Sequence, residues 1–221
     1  MSYISLVNVK KEFLNFLRNA DILSTTERGV TTTTDSFTAS GGEEEFTLTN
    51  SIVRNVRSIT VNGTAISFGK DYTLNYTNNN ITSITIYTLS ASDSIVVTYD
   101  YKATSGSSIY PDYPRQDLKL SSYPRVGFDI IDYDKETGAM GNVNISNIAI
   151  LVKILSSGTL TNDEYLDNLN QAVIDNQTNF YYLSYIKPIR IEPNIPVSER
   201  ANNKIFQVSM RIMARNNYEI N

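Results

Sequence analysis

The chain has 221 residues, 41% of them hydrophobic, with 19 basic and 23 acidic side chains and a formal net charge of -4. That length supports one large domain or two small ones with a hydrophobic core that needs no covalent staple. Cys and His are both absent, which excludes disulfides, thiolate chemistry, zinc sites built on those residues and every Ser-His or Cys-His catalytic pair.

No basic run stands out that would track a phosphate backbone, so tight nucleic-acid binding is not expected. The opening "MSYISLVNVKKEFLNFL" lacks a long apolar run and a small-residue cleavage site and reads as mature sequence. No stretch is long and apolar enough for a spanning helix, so no membrane partner is expected. Sequons at Asn62, Asn75, Asn80, Asn144 and Asn176 are read as a by-product of an Asn-, Ser- and Thr-rich chain.

Ser5 is placed to cap an amphipathic helix in which Leu6, Val9, Phe13, Phe16, Leu17 and Ala20 recur at helical spacing. Lys10, Lys11, Asn15 and Arg18 fall on its outer side. From Thr25 the pattern turns to β-branched threonine, "STTERGVTTTTDSFTASGG", which predicts a strand or extended arm ending at a boundary. The adjacent Glu43, Glu44 and Glu45 read as a solvated entry to the next module.

Between Phe46 and Tyr101 come the strand-length runs "EFTLTN", "VRSITVNG", "TAISFG", "YTLNYT", "ITSITIYT" and "SIVVTYDY". Asn62-Gly63 is a two-residue hairpin signal, and the spacing of turns predicts a small Ig-like β-sandwich. The segment "KATSGSSIYPDYP" then reads as a connection stiffened by Pro111 and Pro114.

Beyond it, "PRVGFDII" and "NISNIAILVKILSS" predict two strands, and Thr161 to Glu164 a capping box for a helix. Leu166, Leu169, Val173 and Phe180 lie near one side of that helix, with Asp163, Asp167, Asn170 and Asp175 left to water. "KPIRIEPNI" and "NKIFQVSMRIMAR" close the chain as strands. The predicted fold class is therefore α+β. Residues 1–42 and 104–221 form a discontinuous domain with a small β-β-α-β-β sheet and two helices, interrupted by an inserted all-β domain at 43–103.

Few groupings suggest chemistry. Asp132, Asp134 and Glu136 alternate before Gly138 in the manner of a calcium loop. The loop pattern wants glycine where Thr137 stands and a terminal Glu that is missing, so a solvated hairpin turn is the better reading. "SFGKDY" has Gly-Lys without the flanking residues of a phosphate loop and is a turn. Fifteen tyrosines could cover the core or form sugar platforms, with Tyr72 and Tyr76 the pair to test. Carboxylate-only glycoside hydrolysis finds no pair that the sequence selects. No catalytic residue, metal site or cofactor is expected.

The element order outside the insertion, with "YPRVGFDIID", "ISNIAILVKILSS", "TNDEYLDNLNQAVIDN" and a final "NKIFQVSMRIMARNNYEI", resembles the tail terminator (tail completion, head-tail joining) proteins of long-tailed bacteriophages. The resemblance covers roughly two-thirds of the chain and rests on element order and the character of the last strand. It implies a structural virion protein, not an enzyme, located at the tail neck and in the host cytoplasm during assembly. Such a protein forms a homohexameric ring that caps the tail tube, ends its polymerisation and joins it to a head connector or stopper protein, while genomic DNA passes through without specific binding.

Ring closure requires a heterologous interface. Strand polarity nominates Arg125, Lys187, Arg190, Arg200, Lys204, Gln207, Arg211 and Arg215 as subunit or partner contacts. The alternatives are another neck protein such as a head-completion stopper, or a carbohydrate-binding adhesion module on a tail or cell surface. The inserted β domain is expected to be a structural accessory.

Overall fold

A computed structural model describes residues 6–77, 80–102, 109–111, 123–137, 143–200 and 203–219, with the side chains of 135–137, 143–144, 198–200, 203 and 216–219 outside that description. The protein is mostly β, with few helices and largely antiparallel sheets. It divides into two compact units, Met1–Ser24 with Ser107–Asn221 (unit 1) and Thr25–Gly106 (unit 2).

Unit 2 contains a short helix α2 (Thr25–Arg28) and strands β1 (Val30–Thr38), β2 (Gly42–Thr47), β3 (Val53–Val61), β4 (Thr64–Ala65), β5 (Tyr72–Thr77), β6 (Asn80–Leu89) and β7 (Ser94–Lys102). β7 lies between β1 and β3, and β6 lies between β2 and β5. The two groups meet through one strand pairing, Val53 opposite Ile81. Alternate residues of both point into a shared core that includes Val56, Ile59, Leu74, Ile84, Ile86, Ile95 and Val97. Each such side chain removed from water contributes about 1.5–3 kcal/mol. Phe37 of β1 and Phe46 of β2 tie the groups together with ring centroids 5.1 Å apart.

The boundary of this unit differs from the sequence reading. The sequence pattern places residues 1–42 in the discontinuous domain, yet β1 pairs with β7 over its whole length, Val30 opposite Lys102 to Thr38 opposite Ser94. A Thr-rich strand with one polar side is held by backbone hydrogen bonds and belongs to the sheet that supplies them. The expected hairpin at Asn62-Gly63 forms: both residues have positive φ, 51° and 78°, and Val61 pairs with Thr64 across it.

Unit 1 is built from α1 (Leu6–Asn19), β8 (Ile109–Tyr110), β9 (Arg125–Thr137), β10 (Val143–Ser156), α3 (Thr159–Asp175), β11 (Tyr185–Arg200) and β12 (Asn203–Glu219). Its sheet runs β11-β12-β10-β9-β8, antiparallel except for the short β8–β9 pairing. β11 is an edge strand, which accommodates Pro188, Pro193 and Pro196 because their missing N–H groups need not face a neighbour.

Register sorts the side chains of this sheet into two rows. Phe128, Val152 and Met210 are cross-strand neighbours, as are Ile130, Ile150 and Ile212, and this row is apolar. Helix α1 covers it: Phe13 meets Phe128 edge-on at 5.0 Å. α3 buries Tyr165, Leu166, Leu169 and Val173 and contacts β10, β11 and β12. The other row places Arg125 beside Leu155 and Gln207, and Leu151 beside Arg211 and Arg190.

Three further expectations change. Thr161 lies inside α3, whose N-cap is Gly158; glycine has no side chain with which to cap, and its carbonyl accepts the first intrahelical bond from the Asn162 N–H. Asp132 and Asp134 sit within β9, opposite Ala149 and Asn147, and not in a turn. Arg18 and Asn15 are buried, not outward. The capping role given to Ser5 and the turn at Gly138 lie outside the described residues.

Candidate interaction surface

The nominated contact residues divide by their place in the sheet. Lys187, Arg190, Arg211 and Arg215 come together on the row opposite the helices, since Arg190 is the direct partner of Arg211 and Lys187 and Arg215 lie opposite Met213 and Tyr185. Arg190 and Arg215 are exposed, and Lys187 and Arg211 half-buried. Arg190 reaches Glu192 at 3.7 Å, while the Arg211 Nε is buried with no hydrogen-bond acceptor among the described residues.

Gln207 shares this row but is 8% exposed, and its amide donates to the Ser209 Oγ at 3.3 Å. It is therefore a poor contact residue. Lys204 is exposed but of the opposite parity, opposite Glu199 near the end of β12. Arg125 is half-buried, with its guanidinium 5.3 Å from the centroid of the Tyr110 ring, a cation–π geometry that ties β9 to β8. The Arg200 side chain lies outside the described residues.

Two buried polar groups of unit 1 escaped the sequence reading. The Arg18 guanidinium, 2% exposed, donates through Nε and Nη2 to the Ile109 carbonyl at 3.3 and 3.1 Å. Glu12, 6% exposed, accepts the backbone N–H groups of Tyr181 and Tyr182 at 2.5 and 3.0 Å. Burial pushes the Glu12 carboxyl up to about 7, against the lowering effect of those two hydrogen bonds. Helical spacing puts Arg18 on the outer side of α1 and gives Glu12 no role, because their partners lie about 90 and 170 residues away, where no periodicity reports them.

Unit 2 buries a charge cluster of its own. Asp100 accepts from Arg28 Nη2 at 2.9 Å, Arg57 Nε at 2.8 Å and the Thr32 hydroxyl at 2.7 Å, and Arg28 also donates to Asn55. Burial opposes the Asp100 charge, but hydrogen bonds from Arg57 and Thr32 and the charges of Arg28 and Arg57 outweigh it and hold its carboxyl below the ordinary range. The cluster is structural in geometry: every oxygen of the carboxylate is occupied by a residue of the same unit.

The tyrosines offered as a sugar platform are placed differently from that expectation. Tyr72 is a core residue, 5% exposed and edge-on to Phe68, so its ring presents no flat side to a ligand. Tyr99 is fully buried, donating to Asp35 and accepting from Asn50 at 2.9 Å each. Glu44 accepts the N–H groups of Ser40 and Gly41 and so braces a turn. Among the described residues no group of three acidic side chains is gathered in a way that could hold a metal ion.

The chain matches no family model, and no curated protein matches it.

Proposed function

We propose that the protein is a structural virion component of the tail neck, a tail terminator that closes the end of a tail tube as a ring and joins it to the head connector. One observation carries this reading. Of the twelve exposed large apolar side chains among the described residues, only Ile52 belongs to unit 2. Unit 1 carries the rest, and Ile131, Tyr133, Tyr185, Ile189, Ile191 and Ile195 lie on two of its long strands, β9 and β11.

Strands of 13 to 17 residues are far longer than the five or six typical of a globular sheet. Apolar side chains left exposed along them favour protein contacts. The order β9-β10-α3-β11-β12 after an N-terminal helix agrees with the α+β framework of that family. The inserted unit is read as an Ig-like accessory, because its own apolar residues are spent on its core.

Immunogold electron microscopy on purified particles of the encoding virus tests the assignment. Label at the head-tail junction is expected. Label confined to the distal tip, or none on particles whose epitope is shown to be accessible, overturns it.

A further inference from the structure

Helix α3 carries Asp163, Glu164, Asp167 and Asp175 and no basic residue. All four carboxylates are exposed, on the side turned away from the buried stripe. Asp163 and Asp175 bond neutral amides, of Asn194 and Gln171, and none of the four pairs with a cation among the described residues. Leu160, 72% exposed, and Ile174, 45% exposed, stand among them. A solvated helix has no need of apolar side chains on its wet side.

On the opposite side of the same sheet the neighbouring strands β11 and β12 carry a basic strip, with Asp132 and Asp134 on the same side but two strands away on β9. Arg190 and Arg211 face each other directly across β11 and β12, a like-charged pairing that is destabilising by itself. Arg190 has one exposed carboxylate neighbour, Glu192 at 3.7 Å, and the Arg211 Nε is buried without an acceptor among the described residues. The exposed Tyr185 and Ile195 flank this basic strip along β11.

The two surfaces match in pattern, apolar-acidic-apolar against apolar-basic-apolar. They also match in scale: Asp163 to Asp175 spans about 18 Å of helix, and the strip from Arg211 to Arg215 about 13 Å of strand before its long side chains are counted. Because the helices cover one side of the sheet and the strip lies on the other, the two cannot meet within one molecule. They can meet only between molecules, front to back.

We infer that the outer side of α3 in one copy docks on the Lys187, Arg190, Arg211 and Arg215 strip of a second copy of this chain. Such a contact is heterologous and propagates head to tail until rotation closes it. It deepens the ring reading and rests on it for closure.

The absence of cysteine gives a direct test. Full-length D167C/R190C, mildly oxidised, is expected to give a ladder of covalent oligomers, while either single variant gives none beyond dimer. In parallel, D163K/D167K and R190E/R215E are each expected to weaken self-association roughly tenfold or more, with circular dichroism unchanged. All four substitutions in one chain should restore it.

Reversed variants that assemble like the parent, or a double-cysteine chain that stays uncrosslinked while light scattering shows it assembled, overturn the docking and leave the ring reading standing. Wild-type protein that remains monomeric at high concentration and with tail tubes present overturns both. If R190E/R215E abolishes retention of a duplex DNA fragment and leaves assembly intact, the strip serves phosphate and the docking is overturned.

Discussion

The Glu12 carboxylate lies 3.0 Å from the backbone nitrogen of Tyr182, 170 residues further along the chain. It fastens α1 to the segment between α3 and β11, where Phe16 also meets Phe180 edge-on at 5.1 Å. Burial raises the carboxyl from an ordinary 4.5 to about 7. The folded state therefore holds this proton more tightly than the unfolded state does. The corresponding stability is fully present below about pH 4.5 and is lost as pH rises to about 7, a change of order 3 kcal/mol. Denaturant midpoints measured across that window should fall with rising pH in the wild type and fall less in Glu12→Gln. Equal slopes for the two proteins would remove Glu12 from the account.

Asp100 works in the opposite sense. Its carboxyl is held low, so its contribution is present above the ordinary carboxylate range and is lost as pH falls through the lowered value, from about pH 4 downward. Asp100→Asn removes the carboxylate with which both Arg28, 3% exposed, and Arg57 pair. Removing one partner of a buried pair typically costs about 3–5 kcal/mol. The melting of unit 2, followed by the near-ultraviolet signal of its tyrosines, should shift down accordingly. A melting temperature within a degree or two of wild type would show that water replaces the carboxylate.

What sequence could and could not show follows from the range of each interaction. The Asn62-Gly63 hairpin and Leu166, Leu169 and Val173 of α3 are local patterns and appear in the structure as expected, whereas Phe180, expected on the same side of that helix, lies beyond its end at Asp175. The partner of β1 is not legible in the sequence, because its attachment to β7 is made of backbone hydrogen bonds, which leave no mark on composition. Asp132 and Asp134 looked like turn residues, yet long-range pairing with β10 overrides their low strand propensity. The basic strip was half legible: alternation identified Arg211 and Arg215, but only register shows that Arg190 stands against Arg211 while Gln207 is buried.

Gly63 turns the β3–β4 hairpin at φ 78°, with open space where a Cβ would stand. A substitution there is therefore opposed by backbone conformation alone and not by a clash. Gly63→Ala should destabilise unit 2 by about 1 kcal/mol, the cost of the left-handed conformation for an L-residue. Gly41 is the instructive contrast, since at φ 110° its added Cβ would also come within 3.2 Å of the Ala91 nitrogen. Gly41→Ala should be the more costly of the two in paired urea titrations. The reverse order would mean that the turn at Gly41 can relax.

Arg18 offers a last test, of how β8 is held. β8 has two residues, and its pairing with β9, Ile109 opposite Val126 and Tyr110 opposite Gly127, is too short to be stable alone. The Ile109 side chain is buried, and its carbonyl is taken by two nitrogens of the Arg18 fork. A guanidinium suits this position because two of its donors converge on one acceptor, whereas a lysine ammonium is a compact, strongly hydrated charge that is expensive to bury. Arg18→Lys should therefore leave α1 helical but release β8, seen as faster amide exchange at Ile109 and Tyr110. It should also loosen the stacking of Tyr110 against Arg125, since both hang on the same two residues. Exchange unchanged at those amides would mean that burial of Ile109 alone holds the strand.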